Sequence, residues 1–401
     1  MQTTSNAMNA TPSNDGVYFR QIGSLPKPPE LVQLLLDQAD GQTVNAVAFE
    51  KLALGAMSAN IARQIRLGYP LVVSGEPERL SFFHHIFRTL EGIGRVEGSS
   101  QVWLPADLED FPEVAAATYS PAVRHLPSLR CTGEIAVRDT DAVYRELGLY
   151  KRALAQSGGW PPARAIVTEP SPGTLAGVID LTGSPYQTRR EIIAALAKVM
   201  RHRYRAVIEE GFTLSLDIPD GLMHQMVPWV TLEQFLADSS WQVTVLNEAL
   251  EGLPLERVHA HACYGNYPST DTRDEPLRDV IGPLLTLHVG TLFLEGSLSR
   301  HREDYLVLKE LIDAGAVPPT LHFGMGVIDT KHYSVEDVEE LAHRIVAMRQ
   351  VLGGRLRAVS PDCGYETITG IPNIPPSVVK AKNALLPQAV AMANDAIFQK
   401  A

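Results

Sequence analysis

The chain has 401 residues, of which 45% are hydrophobic, so it can bury a large core as one big domain or as two ordinary ones. Its formal net charge of −11 argues against binding to nucleic acid or to an anionic membrane surface. We find no apolar run of the roughly 18 residues that a membrane-spanning helix needs. Residues 1–16 are polar and lack the apolar segment of a signal peptide, so we interpret them as a disordered tail and residues 17–401 as a single domain.

The chain contains three cysteines, Cys131, Cys263 and Cys363. This odd and sparse count argues against a disulfide framework and favours a reducing compartment. We therefore expect a cytoplasmic protein, and the sequence leaves open whether it forms a homo-oligomer. Cys131 lies in a predicted hairpin strand, where a cysteine is most simply a small buried hydrophobic residue.

Short apolar runs rich in β-branched residues alternate with longer helical patterns. The predicted strands, in chain order, are Tyr18–Ile22, Leu71–Val73, Arg130–Val137, Ala165–Val167, Thr213–Leu216, Arg257–Ala260, Thr291–Leu294, Thr320–Phe323 and Leu356–Val359. Residues 24–66 and 75–128 are interpreted as helical and loop insertions near the N-terminus. Later helices are predicted at Ile192–Ile208, at Ser334–Val351 with Ser334 as N-cap, and from Ser377 to Ala401.

Strands that alternate with helices indicate a parallel sheet with right-handed crossovers. About eight such units predict an α/β fold of the (β/α)8 TIM-barrel class, with Arg130–Val137 assigned to a hairpin outside the barrel. A doubly wound open sheet is the competing architecture. Its dinucleotide-binding form is disfavoured because no G-x-G-x-x-G motif follows the first strand.

The segment from Arg257 to Cys263 ends a predicted strand with His261 and Cys263, two residues apart. Side chains at this spacing face the same side of a strand, and the carboxyl ends of barrel strands carry the active site. One imidazole and one thiolate suit a zinc ion. His259 shares the orientation and is an alternative ligand, although it lies deeper in the strand. For this motif alone, a core strand with a satisfied histidine and an inert cysteine is an equally good interpretation.

Two further strand ends carry side chains that bind metals. Glu295 follows the apolar run Thr291–Leu294, and a strand buried on both faces should not end in a charge without a partner. Cys363 follows another short strand in a turn-forming context. Alone, Glu295 is better explained as a loop residue. Together, the three strand ends predict a zinc site with four ligands, His261, Cys263, Glu295 and Cys363.

Polar residues also follow other predicted strands. They are Ser24 after the first strand, Glu76 after the second, Asp217 after Thr213–Leu216, and the loop residues Asp329, Lys331 and His332. Taken one at a time, each is more simply a capping or turn residue than a functional one.

The motifs in their order and spacing resemble the C-terminal catalytic barrel of the cobalamin-independent methionine synthase family, over nearly all of residues 18–375. The motifs that carry the resemblance are Ile22-Gly-Ser-Leu-Pro26, Ser74-Gly-Glu76-Pro-Glu-Arg79, Leu216-Asp217-Ile-Pro219, His261-Ala-Cys263-Tyr, Glu295-Gly-Ser297, Gly324-Met-Gly-Val-Ile-Asp329 and Pro361-Asp-Cys363-Gly364. No single motif is specific, but the set is.

The resemblance implies a zinc-dependent methyltransferase that passes a methyl group from a folate nitrogen to a zinc-activated thiol, with homocysteine as the acceptor. In that family the thiol substrate would contact Ile22, Gly23, Ser24, Glu76 and Asp217. Glu76 and Asp217 would meet its amino group, and the region of Ser24 would meet its carboxylate. A general acid is expected near the leaving group, with Asp329, Lys331 and His332 as candidates.

The chain departs from the full-length family members mainly where the methyl donor would bind. The separate N-terminal barrel is absent, no aromatic residue occurs in Gly173–Asp180, and Ile218 and Met223 replace acidic residues. Lys331 stands where the family has a histidine, although His332 is adjacent. A zinc-dependent alkyltransferase that acts on another electrophile, such as an epoxyalkane–coenzyme M transferase, is therefore the alternative enzyme. A structural zinc barrel and a metal-free porphyrin decarboxylase are the remaining alternatives.

Overall fold

The computed structural model describes residues 16–96, 105–119, 126–268, 270–370 and 373–399. The predicted tail, residues 1–16, lies outside these ranges except for Gly16. In chain order the strands are β1 Tyr18–Phe19, β2 Val72–Val73, β3 Leu90–Val96, β4 Ser128–Val137, β5 Ala165–Pro170, β6 Ile179–Asp180, β7 Thr213–Asp217, β8 Val258–Ala262, β9 Thr291–Leu294, β10 His322–Ile328 and β11 Leu356–Pro361.

Eight of these strands form one parallel sheet in the order β1-β11-β10-β9-β8-β7-β5-β2. The two strands at the ends of this order, β1 and β2, approach each other through the loops that follow them, because the backbone N–H of Leu25 donates to the carbonyl of Gly75 at 3.0 Å. The sheet therefore curls round on itself. This topology confirms the predicted (β/α)8 barrel and rules against the doubly wound alternative.

Helices separate most of the barrel strands and cover the outside of the sheet. The α-helices are Pro29–Ala39, Ala46–Arg66, His84–Phe87, Ala106–Glu109, Pro112–Val114, Ala142–Gln156, Pro172–Gly177, Arg189–Glu209, Leu232–Leu250, Leu277–Val280, Asp304–Asp313, Val338–Leu352 and Pro376–Phe398. The predicted helices Ile192–Ile208 and Ser377 onward are confirmed. Among the described helices, none is long and apolar enough to cross a membrane.

The helix predicted from Ser334 begins instead at Val338. Its N-cap is Asp337, whose carboxylate accepts hydrogen bonds from the backbone N–H groups of Glu339 and Glu340, both at 2.9 Å. The assignment of Ser334 as the N-cap is therefore wrong. A carboxylate at this position satisfies two free donors and also lies at the positive end of the helix dipole, so it fixes the start of the helix.

A second, three-stranded sheet lies outside the barrel, with β4 antiparallel to β3 and parallel to β6. The placement of Arg130–Val137 in a hairpin outside the barrel is confirmed. Its partner β3 lies in the segment that was expected to contain only helices and loops. Gly92 and Gly94 hide this strand in the sequence, since glycine has low strand propensity and marks bulges. Gly92 has φ +77° at an irregularity in the β3–β4 pairing.

Strand β10 runs to Ile328 rather than ending at Phe323 as predicted, so Gly324 and Gly326 lie inside it. Both glycines make room for larger neighbours. A Cβ atom at Gly324 would overlap the ring of Phe293, and one at Gly326 would overlap the carboxylate of Asp362. Close packing of this part of the barrel therefore depends on the missing side chains.

We expect Gly324→Ala to destabilise the protein by about 1–3 kcal/mol, because the new methyl group has to displace a buried ring in a close-packed interior. The free energy of unfolding in urea measures the effect. The matched control is Gly55→Ala in the exposed part of the Ala46–Arg66 helix, where no atom lies within 4 Å of the added Cβ. That control should gain about 0.5–1 kcal/mol, and equal stability of the two variants would contradict the packing argument.

Candidate metal and thiol site

Three of the predicted metal ligands meet at the carboxyl ends of the strands. His261 is in β8, Cys263 follows β8 directly, and Cys363 follows β11; all three are buried, and their ligand atoms lie within 4.8 Å of one another. A tetrahedral zinc ion binds sulfur at about 2.3 Å and nitrogen at about 2.0 Å, which separates its ligand atoms by about 3.5–4 Å. The three side chains therefore fit one metal ion, and two thiols with an imidazole suit a borderline-soft metal.

The ring of His261 is held on both sides. Its Nδ1 lies 3.2 Å from Oδ1 of Asp217, and its Nε2 lies 2.8 Å from the backbone carbonyl of Asp362. Although burial lowers it, the bond to Asp217 and the neighbouring Cys263 raise the pKa of His261 to about 9. A metal ion would take the place of one of these two partners. A carboxylate on the other nitrogen of a ligand histidine is a common way to orient it.

His259, the alternative ligand, lies below this group. Its Nδ1 is 2.9 Å from a guanidinium nitrogen of Arg20, which is fully buried in the barrel and also contacts the ring of Phe293. Burial, and then the charge of Arg20, lower the pKa of His259 well below its usual range. His259 is therefore a neutral residue of the barrel interior, and the geometry favours His261 as the ligand.

The two cysteines differ in acidity because they share a hydrogen bond. That bond with the Cys363 thiol lowers the pKa of Cys263. The same bond, together with burial, raises the pKa of Cys363.

Glu295, the fourth predicted ligand, is not part of this group. It follows β9, its side chain is fully buried, and its Oε2 accepts a hydrogen bond from the backbone N–H of Tyr264 at 3.0 Å. Its Oε1 lies 2.7 Å from Nζ of Lys331. The structure therefore brings three of the four predicted ligands together and places the fourth in an ion pair.

Asp362 is a residue of the site that the sequence analysis did not single out. Its Oδ1 accepts hydrogen bonds from the backbone N–H groups of Gly296 and Ser297, both at 3.0 Å. These bonds tie the end of β11 to the end of β9. Burial, and then the charge of Glu295, raise the pKa of Asp362 to about 7. Its position next to Cys363 was the only signal in the sequence.

A cavity of about 360 Å³ opens beside the three ligand atoms. It is lined by all five residues predicted to bind the thiol substrate and by the three clustered ligands, namely Ile22, Gly23, Ser24, Glu76, Asp217, His261, Cys263 and Cys363. Much of the remaining wall is apolar and comes from residues that the sequence analysis did not identify, among them Phe82, Phe83, Phe235 and Tyr267. Apart from the adjacent Phe82 and Phe83, they lie far apart in the chain, and no local pattern connects them.

Two polar residues of the cavity wall, Glu76 and Ser24, are unusual for buried side chains. Glu76 has φ +55° and is buried, and burial raises the pKa of its carboxyl group. It lies 3.8 Å from Arg79 and hydrogen bonds to the Thr168 hydroxyl. The hydroxyl of Ser24 is buried and has no hydrogen-bond partner among the residues that the structure describes. A buried hydroxyl in this state is available to a ligand, because leaving it unpaired costs free energy.

The three residues predicted as general acids do not line the cavity. Asp329 accepts hydrogen bonds from the backbone N–H of Lys331 at 2.6 Å and pairs with Nδ1 of His332 at 2.7 Å. The His332 side chain is about half exposed. Asp329 therefore organises its own loop, and Lys331 points to Glu295.

A second cluster of His85, Glu146 and Glu169 has metal-ligand chemistry but a different explanation. Arg203 contacts Glu169 at 2.8 Å and Glu146 at 2.6 Å. Burial lowers the pKa of His85 well below its usual range. Because both carboxylates are already paired with a guanidinium, we interpret this cluster as a buried ion-pair network.

No protein-family model matches the chain. Among solved structures, it is similar to a B12-independent methionine synthase from a Shewanella species, with a TM-score of 0.69 and 17% identity, covering 96% of this chain and 98% of that one. It is also similar to a putative vitamin-B12-independent methionine synthase from Listeria monocytogenes, with a TM-score of 0.62, 18% identity and coverage of 95% and 98%. These similarities confirm the predicted fold.

The names of curated relatives agree with this structural similarity. A 5-methyltetrahydropteroyltriglutamate–homocysteine methyltransferase from Thermotoga petrophila is 21% identical over 355 residues, which is 86% of this chain and 41% of that protein. The protein of the same name from Shewanella oneidensis is 22% identical over 354 residues, or 87% and 40%. The chain thus spans about two fifths of the length of these relatives. The resemblance to cobalamin-independent methionine synthases that the motifs indicated is confirmed.

We expect Ser24→Ala to leave the free energy of unfolding unchanged within about 0.5 kcal/mol, because the hydroxyl that it removes has no partner in the folded protein. The matched control is Ser171→Ala, another fully buried serine. Ser171 caps the Pro172–Gly177 helix and donates to Asp220, so its loss should cost about 1–2 kcal/mol. Equal losses in denaturant unfolding would contradict the view that Ser24 is a binding group.

Proposed function

We propose that this chain is a zinc-dependent S-methyltransferase that methylates homocysteine to methionine. One observation carries the proposal: an imidazole and two thiols that can share one metal ion open onto the same cavity as Ser24, Glu76 and Asp217. The names of the curated relatives, which are homocysteine methyltransferases, support the choice of reaction.

In this proposal His261, Cys263 and Cys363 hold the zinc ion, and Glu295 is the fourth ligand in the absence of substrate. A bound zinc ion deprotonates a thiol that coordinates it and so supplies a nucleophile at neutral pH, where a free thiol with a pKa of about 8.5 is mostly protonated. Asp217 orients His261 through Nδ1. Asp362, whose carbonyl the metal would replace at Nε2, holds the Glu295 loop through its carboxylate.

The remaining cavity groups match an amino acid that carries a thiol. Two carboxylates, Glu76 and Asp217, face the cavity and favour a positively charged amino group. The free hydroxyl of Ser24 favours the substrate carboxylate. Gly23 allows the carboxylate of Glu76 to lie against the backbone, since a Cβ atom at position 23 would be only 2.7 Å from Oε1 of Glu76. The chain's own residues thus bind and orient the thiol beside the metal ligands.

We assign the methyl donor to the apolar part of the cavity, and the names of the relatives favour a methylated folate. The sulfur attacks the methyl carbon, the bond between that carbon and the donor nitrogen breaks, and the nitrogen takes up a proton. Of the three candidate acids, Lys331 is paired with Glu295, and Asp329 is engaged by its own loop. His332, which pairs with Asp329, also lies outside the cavity wall, so we assign the proton donor to none of the three.

The metal part of the proposal predicts that the purified protein binds one zinc ion and that Cys263→Ser and Cys363→Ser each weaken this binding by about 100-fold or more, because each removes one of the ligands on which affinity depends. Chelator competition with metal analysis measures the effect. The control is Cys131→Ser: Cys131 is buried in β4 and donates to the carbonyl of Gly133, away from the cluster. Full zinc binding in the Cys263 variant would refute the ligand assignment.

The substrate part predicts that Glu76→Gln raises KM for homocysteine by about 10- to 100-fold, since a hydrogen bond between charged groups contributes about 1.5–3 kcal/mol. Methionine formation from a methylated folate measures it. The control is 4-mercaptobutanoate, which lacks the amino group and should be used equally by the variant and the original protein. Alkylation of a thiol by an epoxide, without any methionine from a methylated folate, would instead support the alternative enzyme.

A further inference from the structure

Lys331 and Glu295 form an ion pair inside the protein. Their side chains are 1% and 0% exposed, and Nζ of Lys331 lies 2.7 Å from Oε1 of Glu295. Asp271 lies further away, at 3.7 Å from the same nitrogen. Removing one partner of a buried ion pair leaves the other as an uncompensated charge, which is strongly unfavourable. Each group therefore depends on the other unless a second partner is within reach.

Glu295 has a second partner in the backbone N–H of Tyr264, whereas the second partner of Lys331, Asp271, is more distant at 3.7 Å. The other oxygen of Glu295 accepts from the backbone N–H of Tyr264, the residue next to the ligand Cys263. The backbone on the other side of Glu295 is fixed, because Gly296 donates to Asp362, the residue before the ligand Cys363. The carboxylate thus lies between a lysine and the metal ligands, on a loop that is anchored to both ligand segments.

We propose that Lys331 is a positioning residue that competes with the metal for Glu295 and that receives this carboxylate when the substrate thiol takes the fourth coordination position. The inference rests on the proposed function. With a metal held by His261, Cys263 and Cys363, an incoming thiol would give its proton to solvent and would take the place of the Glu295 carboxylate. The carboxylate leaves as an anion and pairs with the ammonium group, so no charge is left unpaired.

This role requires a cation at position 331. Without it, a carboxylate that leaves the metal would be buried and unpaired, so Glu295 would stay on the metal and the thiol would bind poorly. With a cation at position 331, the carboxylate of Glu295 has a second partner besides the metal, so the fourth position can open. A site that keeps an open position is the catalytic rather than the structural form of a zinc site.

The experiment compares Lys331→Met, Glu295→Gln and the double variant, all in the full chain. Zinc affinity is measured by chelator competition, and homocysteine binding is measured from the visible absorption of the Co²⁺-substituted protein. We expect Lys331→Met to hold zinc about tenfold more tightly and to bind homocysteine about tenfold more weakly, which is the size of effect expected of groups that hold metal ligands. Lys331→Arg keeps the cation and should restore both affinities.

In the Glu295→Gln background, the Lys331→Met change should alter neither affinity, because there is no carboxylate left to exchange. A Lys331→Met variant that loses affinity for zinc and thiol alike would overturn the inference, and so would an effect of the same size in the Glu295→Gln background. Circular dichroism shows whether Lys331→Met folds. If it does not, Glu295→Gln is compared with the double variant, because neither of these variants buries an unpaired carboxylate. A difference between their zinc or homocysteine affinities would still overturn the inference. Failure of the metal and thiol part of the proposed function, on which the inference rests, is distinguishable, because the unaltered protein would then bind neither zinc nor thiol.

Discussion

The parallel pairing of the barrel strands is the constraint on which the site depends. Asp217 is in register with His261 across β7 and β8, and His261 is in register with Phe293 of β9. Because all eight strands run in the same direction, their carboxyl ends form one rim, and residues as far apart in the chain as Ile22 and Cys363 meet there. A shift of one residue in any of these pairings would turn the ligand side chains to the opposite face.

Charge is arranged in pairs below and beside this rim. Arg20 fills the barrel beneath the ligands, and its contact with His259 keeps that histidine out of the metal group. Arg203 neutralises the carboxylates of Glu146 and Glu169. The cavity wall carries four acidic residues, Glu76, Asp217, Asp220 and Asp238, together with the hydroxyl of Ser24. Glu76 lies 3.8 Å from Arg79 and Asp217 lies 3.2 Å from His261, so the partners of these carboxylates set the polar half of the cavity.

The position of Glu295 connects the structure to the proposed chemistry. A glutamate, two cysteines and a histidine could close a zinc site completely, and a closed site is typical of structural zinc. Because it pairs with Lys331, the carboxylate of Glu295 would keep a charged partner after leaving a metal. The difference between a structural and a reactive site can thus lie in a residue that does not bind the metal.

The sequence by itself determined the barrel, because short apolar runs and period-3.6 helices are local patterns, and it placed the candidate residues at or after the strands, although β10 extends past its predicted end. The proposed ligands His261, Cys263 and Cys363 and the cavity residues Ser24, Glu76 and Asp217 followed from that reasoning and from the resemblance. Only the tertiary structure decided the partner of Glu295, since Lys331 and Glu295 belong to different loops and no local signal links them. It also decided strand β3, whose glycines conceal a long-range pairing, and the start of the Val338–Leu352 helix, where Asp337 and not Ser334 is the N-cap. Local patterns report local free energies, whereas buried ion pairs and hairpin partners depend on contacts that exist only after folding.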